Sequence, residues 1–355
     1  MLMETPIPEI SLQYTLRPAN EYGIWTGGAN GTMESVKSTS ILGGLRFWTG
    51  ALLRANGFDV CEDRNCIYEE GKSICSLCKI FGCTGLSRVC NLSVDASQKL
   101  FQPITKSKKY TELTNHRRTT DGKSPRYYFT QAYQCPITIT ISLHRPLLEG
   151  TFAIPREITT ALYLMITYAT LGAYDQYGCG LMDWKDPHEA EHLKSLCLPK
   201  ANPGKAACGI SLRDFFFYKG QIQGDGKQAM AEIRYRIRDA LRSPFSQELR
   251  HWFCGSLGNR ARKEEASGCN YTLTIDSKGY MYGWGFYPTA SNLPYQKFVK
   301  DRETVLDRVK KVLSDSDMAG NSLVWRECNS KRDTKGISEW PQWYADLLQS
   351  PWRMA

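Results

Sequence analysis

Five of the 13 cysteines fall in one short window, Cys61, Cys66, Cys75, Cys78 and Cys83 in CEDRNCIYEEGKSICSLCKIFGC. Four residues separate Cys61 from Cys66, and two separate Cys75 from Cys78. A C-x2-C knuckle lets two thiolates converge on one ion, and an earlier pair can close a tetrahedron. Four sulfur ligands suit zinc and leave no open coordination position, so the expected role is structural. In a reducing compartment a local cysteine cluster points to metal rather than to disulfides. The alternative is a group of reduced thiols, and Cys83 is a spare candidate ligand. The remaining cysteines are scattered and read mostly as small buried hydrophobes.

Other groupings are less chemically specific. The turn LGAYDQYGCGLMDW (171–184) follows a helix, whereas dinucleotide and Walker-type phosphate loops open one. Gly172, Gly178 and Gly180 permit close backbone approach, and Tyr174 and Tyr177 offer flat faces. That combination suits a nucleic-acid strand, or equally a tight structural turn. Arg234, Arg238 and Arg242 recur at helical spacing beside Ile233, Ile237 and Leu241, which reads as a solvated basic stripe next to a packing face. Residues 102–130 are polar and basic, with Lys106, Lys108, Lys109, Arg117, Arg118, Lys123 and Arg126, and read as a long loop or hairpin. His188 and His192 stand at i, i+4 with no third ligand evident. No nucleophile elbow, Walker motif or HD pair occurs, so the expectation is a non-catalytic protein.

Lys and Arg number 45 against 36 Asp and Glu, a net charge of +9, which permits a polyanionic partner without demanding one. The hydrophobic and charged fractions, 42% and 23%, are those of a soluble globular chain. No apolar run is long enough for a membrane helix, and the opening MLMETPIPEISLQY lacks a signal-peptide layout. The expected location is cytoplasmic.

The 355 residues suffice for two domains. ISLQYTLRP (10–18) alternates as a half-buried strand does. SILGGLRFWTGALLRANG (40–57) reads as a helix, with Ser38 or Ser40 to cap it and Gly57 to stop it. Strands follow at SRVCNLSVDA and ITITISLHRP, then a helix at 155–173. This order suits a ferredoxin-like α+β domain. After the charged linker DPHEAEHLKSLCLPKANPGKAA, the pattern of FFFYKGQI, KQAMAEIRYRIRDAL, YTLTIDSKGYMYGWGFYP and KFVKDRETVLDRVKKVLSD suggests a second domain of the same kind. The expected division is residues 1–190, with the zinc knuckle at 61–83, and residues 200–345.

Several strings, in order, resemble a known family. GIWTGGANG followed by STSILGGLRFWTGALL resembles the opening of RAMP proteins of CRISPR effectors. CSLCKIFGCTGLSRVCNLSV is similar to the Cys-rich version found in the first subunit of the type III-B (Cmr) complex. LGAYDQYGCG resembles that family's glycine-rich loop, and HWFCGSLGNRARKEEASGCNYTLTI with GYMYGWGFYP resembles its second domain. The likeness runs from about residue 10 to residue 288, and the stretch past Asp301 adds little to it. It implies two tandem ferredoxin-like (RRM-like) RAMP domains in an RNA-binding, non-catalytic subunit near the 3′ part of the CRISPR RNA. The implied partners are CRISPR RNA, target RNA and other Cmr subunits. The candidate RNA contacts are Trp25, Gly27, Gly28, Lys37, Arg46, Tyr174, Gln176, Tyr177, Arg260, Arg262 and Lys263. Asp175 stands where relatives are more basic, which shifts weight to the loop backbone, Gln176 and the tyrosines. Arg46 has an alternative role, pairing inside its own domain. A RAMP endoribonuclease and a purely protein-contacting scaffold are the rival readings.

Overall fold

The structure, a computed structural model, describes residues 11–27, 33–61, 66–96, 101–102, 132–144, 154–173, 178–222, 226–255, 269–289, 296–315 and 317–353. The basic segment carrying Lys106 to Arg126 lies outside the described residues.

The chain begins with β1 (Ser11–Pro18), α1 (Ser38–Ala55), α2 (Ser76–Phe81) and β2 (Cys90–Asp95). The two-residue strands β3 (Phe101–Gln102) and β4 (Ala132–Tyr133) pair with each other. Then come β5 (Ile137–Leu143), α3 (Arg156–Tyr168) and β6 (Met182–Trp184). The first sheet has the order β2-β5-β1-β6 and every neighbouring pair is antiparallel. Numbered by their order in this unit, its strands run 2-3-1-4, with α1 following the first and α3 the third. On β1, Tyr14 and Leu16 are buried while Gln13 and Arg17 are exposed, the period-2 pattern of a sheet with one covered face.

α4 (Pro187–Ser195) occupies what the sequence presents as a linker. Asp186 caps it by accepting from His188 N at 2.9 Å, and Pro187 stands at its start, where a missing N–H does no harm. The second unit comprises β7 (Phe215–Gln221), α5 (Gly226–Ala240), α6 (Gln247–Cys254), β8 (Thr274–Ile275), β9 (Tyr280–Phe286), α7 (Arg302–Leu313) and β10 (Val324–Glu327). Its sheet has the order β10-β7-β9-β8, again antiparallel throughout. Numbered within the unit, that is 4-1-3-2, the order of the first sheet read from its other edge. α8 (Gln342–Gln349) follows.

β7 is buried along Phe215–Tyr218, so both faces of this sheet are covered, and its apolar run replaces the alternation seen in β1. Phe215 and Phe217 meet Trp48 of α1 at ring-centroid distances of 5.0 and 6.1 Å, and Phe217 also meets Tyr168 of α3 at 5.2 Å. Phe216 turns the other way, stacking on Trp325 at 5.0 Å and facing Phe253 of α6 at 6.4 Å. Helices α1 and α3 therefore stand between the two sheets, and one continuous core runs through both units. Trp48, expected in the core, is central to it.

Opposite Phe216 and Tyr218 on β9 are Gly285 and Gly283. A Cβ at Gly283 would stand 2.1 Å from the Tyr218 ring and 2.4 Å from the Thr272 carbonyl oxygen. At Gly285 it would stand 2.4 Å from the Phe216 ring. The glycines of GWGFYP thus make room for cross-strand aromatic rings.

One expectation needs correction. The stripe Arg234, Arg238, Arg242 is not uniformly solvated. Arg234 is buried and donates to the Leu273 carbonyl at 2.9 Å, and Arg238 is buried and donates to the Gly255 carbonyl at 3.1 Å. Arg242 alone of the three is exposed, paired with Asp239 at 3.1 Å. The chain beyond Asp301, which adds little to the family resemblance, closes the molecule. Arg353 is buried and donates to the Thr167 and Ala169 carbonyls at 3.0 and 2.6 Å. Tyr344 donates to the Leu198 carbonyl at 2.8 Å and Trp340 Nε1 to the Asn202 carbonyl at 2.9 Å. Among the described residues no helix is long and apolar enough to cross a membrane.

Candidate metal centre and interface residues

The knuckle is built against α1. The short helix α2 opens at Cys75, whose Sγ accepts from Cys78 N at 3.4 Å, and closes at Gly82 with φ of 77°. A Cβ at Gly82 would meet Arg88 N and the Leu86 carbonyl oxygen, both at 2.7 Å, so the chain can turn here only with glycine. Leu77 of α2 packs onto Gly50 of α1, where a Cβ would come within 3.3 Å of it. The strand-like segment before α2 is tied in by an Ile67–Thr84 bridge and by Tyr68 N donating to the Thr84 carbonyl at 2.8 Å.

This scaffold brings Cys61, Cys66, Cys75 and Cys78 together, with all four Sγ atoms within 4.8 Å of one another. The Cys61–Cys78 pair is at 3.4 Å. Tetrahedral zinc with Zn–S bonds of about 2.3 Å sets its sulfurs roughly 3.8 Å apart, so small side-chain adjustments would seat the ion. Among the described residues this is the one group of His, Cys, Asp and Glu able to hold a metal. The four cysteines can hold a metal ion, and a closed S4 set is suited to structure rather than to catalysis. Cys83 stands outside the group.

The thiols do not share one proton affinity. Burial pushes the Cys75 thiol up, but the backbone N–H groups of Cys61 and Cys78 outweigh it and bring it down to about 7. Burial and the hydrogen bond to Cys61 push the Cys78 thiol well up, and burial also raises Cys61. Neighbouring thiolates repel, and a divalent cation between them removes that repulsion and releases the protons.

Two arginines brace the cluster from α1. Arg46 donates to Cys78 Sγ at 3.4 Å and to the Gly82 carbonyl at 3.0 Å, with its guanidinium 5.8 Å from the Phe81 ring centroid. Arg54 donates to the Cys61 carbonyl at 2.9 Å. Donors of this kind fix ligand orientation and offset thiolate charge. Arg46, a candidate RNA contact, thus has internal partners in Cys78 and Gly82.

The other sequence candidates are placed as follows. Trp25 is 8% exposed, so its ring packs in the core and presents no open face for a base. Gly27 has φ of 81° and lies against the Trp25 ring, 3.2 Å from where a Cβ would stand. Lys37 is exposed and occupies the N-cap position of α1 with no side-chain cap, so neither Ser38 nor Ser40 serves that purpose. Gly28, Tyr174, Gln176, Tyr177, Arg260, Arg262 and Lys263 lie outside the described residues.

The glycine-rich turn is described at both ends. Gly172 has φ of 89° because a Cβ would stand 2.4 Å from the Trp25 carbonyl oxygen, and Gly180 has φ of 82° with the Leu171 carbonyl oxygen at 2.1 Å. Their closeness is to the protein's own backbone. Ala173 N donates to the Trp25 carbonyl at 2.7 Å, and Gly180 N to the Gly23 carbonyl at 2.7 Å. The Gly178 carbonyl accepts from Asn20 Nδ2 at 3.1 Å and from Thr274 Oγ1 of β8 at 3.0 Å. The turn is thus anchored where the first unit meets the second sheet.

Residues 21–183, which hold the cysteine knuckle and most of the glycine-rich turn, match the model of the RAMP superfamily. No curated protein matches this chain by sequence. Among the solved structures similar to it are three. The crystal structure of Cmr1 from Pyrococcus furiosus in its apo form is 11% identical with a TM-score of 0.41, covering 82% of this chain and 97% of that one. A chain of the type III-B Cmr-beta cryo-EM structure bound to cognate target RNA is 11% identical with a TM-score of 0.48, covering 86% and 100%. A chain of the same complex with target RNA, AMPPnP and ssDNA is 12% identical with a TM-score of 0.46, covering 85% and 98%.

Proposed function

We propose that this chain is a non-catalytic, RNA-binding subunit of a type III-B CRISPR ribonucleoprotein, built from two tandem ferredoxin-like domains and holding one structural zinc ion. It stands at the end of the complex near the 3′ part of the CRISPR RNA and helps to capture target RNA. Its partners are CRISPR RNA, target RNA and the other Cmr subunits. The observation that carries the reading is the match of residues 21–183 to the RAMP superfamily model. The ordered RAMP-like strings that continue to residue 288 support it, and so does the strand order shared by the two sheets, that of a ferredoxin-like βαββαβ unit.

Such a protein needs no acid–base pair. It needs cations for phosphates, backbone donors and a few flat side chains, arranged on a rigid frame. The +9 net charge supplies the first, and the anchored ends of the glycine-rich turn supply the frame. The closed four-sulfur site holds the knuckle in shape and takes no part in chemistry.

The test is a titration of the purified protein with CRISPR repeat RNA and guide–target duplex at several salt concentrations. Binding whose logarithm falls linearly with the logarithm of salt, without strand scission, is expected. Metal-independent scission abolished by one substitution in this chain would establish the endoribonuclease reading instead. No binding to any RNA would favour a protein-contacting scaffold.

A further inference from the structure

A cavity of about 360 Å³ lies where the knuckle meets α1, within the size range of small-ligand sites. The helix contributes Thr39, Gly43 and Arg46, and the knuckle contributes Phe81, Thr84 and Arg88. We propose that this cavity receives a single unpaired nucleotide of RNA, with its phosphate between the arginines and threonines and its base against Phe81. The proposal rests on the RNA-binding reading above and assigns it a pocket.

The lining carries the chemistry for that ligand. Two guanidinium groups and two hydroxyls can bind a phosphate and a ribose, and an aromatic ring with neighbouring Leu42 offers an apolar face to a base. Among the described lining residues none is acidic, so nothing there repels an anion. The cationic wall is fixed in advance. Arg46 is held by the Gly82 carbonyl and Cys78 Sγ, and Arg88 at the rim by Asn91 Oδ1 at 3.1 Å. A preorganised guanidinium loses less freedom on binding than a mobile one. The four-cysteine site acquires a purpose from this arrangement, because it positions the wall formed by Phe81 to Arg88 opposite the helix.

Gly43 supplies the test. A Cβ there meets nothing within 4 Å, although the residue lines the cavity in mid-helix. Gly43→Phe therefore adds a ring at the cavity lining, with a Cβ that meets no neighbour. Arg88→Glu reverses charge at an exposed position. The assay is fluorescence anisotropy of a labelled single-stranded oligouridylate against the full chain at several salt concentrations. Circular dichroism confirms that each variant is folded.

The expected result is at least about fivefold weaker binding for Gly43→Phe, the loss of one base–aromatic stack. Arg88→Glu should also weaken binding and flatten the salt slope by about one. If folded Gly43→Phe and Arg88→Glu bind as wild type does, the cavity proposal is overturned while the RNA reading stands. If the wild type binds no RNA, the RNA reading falls and this inference falls with it.

Discussion

The Arg46 guanidinium on α1 donates to Cys78 Sγ in the knuckle at 3.4 Å. The two residues lie 32 positions apart in the chain, and the same side chain also holds the Gly82 carbonyl at the end of α2. A single cation thereby links the helix after β1 to the cysteine cluster. It does so from the wall of the cavity between α1 and the knuckle. A metal ion held by the four cysteines would be coupled through it to both.

The first prediction concerns the metal. Elemental analysis of the purified protein should find close to one zinc per chain. Cys75→Ser combined with Cys78→Ser should abolish it and lower the thermal midpoint, because binding energy at a structural site is folding energy. Metal-free protein with an unaltered midpoint after that double substitution would refute the site.

Arg46→Ala removes the donor to Cys78 Sγ while leaving all four thiols in place. Outer-shell substitutions of this kind lower metal affinity by roughly 10–100-fold. Competition with a chromophoric chelator should show that loss. Arg46→Lys should recover only part of the affinity, since an ammonium cannot reproduce the planar fork.

Gly283→Ala tests the cross-strand packing in the second sheet. The added methyl would overlap the Tyr218 ring and the Thr272 carbonyl, and the second of these is backbone that cannot swing aside. Overpacking of this sort costs about 1–3 kcal/mol, and more where backbone must move. Urea unfolding should show a loss at the upper end of that range or beyond. Gly279→Ala is less suitable as a control for space alone, because Gly279 has φ of 82°.

Acid sensitivity should centre on Glu327, which is 0% exposed. It accepts from Arg302 at 2.9 Å, from Arg332 at 2.7 and 2.8 Å, and from Trp325 Nε1 at 2.9 Å. Burial alone would raise its pKa, but Arg332, Arg302 and the indole together hold it below the usual carboxylate range. A lowered folded-state pKa gives stability that is complete above the ordinary glutamate value and is lost as pH falls through the folded value. Urea midpoints should therefore fall on the acid side, and Glu327→Gln should flatten that fall. At neutral pH the same variant should lose up to about 3–5 kcal/mol, because it removes the buried counter-charge of Arg302 and Arg332 and leaves them only the exposed Glu303 and Asp307.

Much of this was legible in the sequence where signals are local. The cysteine spacing located the four thiols that converge, and the alternation in β1 and the apolar run of β7 marked strands. The end of α1 was read two residues late and its start two residues late as well, because its N-cap is Lys37 and carries no side-chain signal. Long-range relations were not legible. Arg234 and Arg238 read as a solvated stripe because their carbonyl partners, Leu273 and Gly255, are distant in the chain or on another element. Arg326, Asp333 and Asp346, joined by buried ion pairs after residue 320, have no periodic pattern that would announce them. Arg88 and Thr84 carry no motif; only the folding of the knuckle onto α1 makes them walls of a cavity.

We propose that this chain binds RNA within a CRISPR ribonucleoprotein. The most direct measurement is affinity purification of the tagged chain from its native cells at chromosomal expression level, with sequencing of the bound RNA and mass spectrometry of the bound proteins. The account predicts recovery of CRISPR RNAs of defined length together with other Cmr subunits, retained at moderate salt. Recovery of the chain alone, or with proteins but no enriched CRISPR RNA, would contradict it.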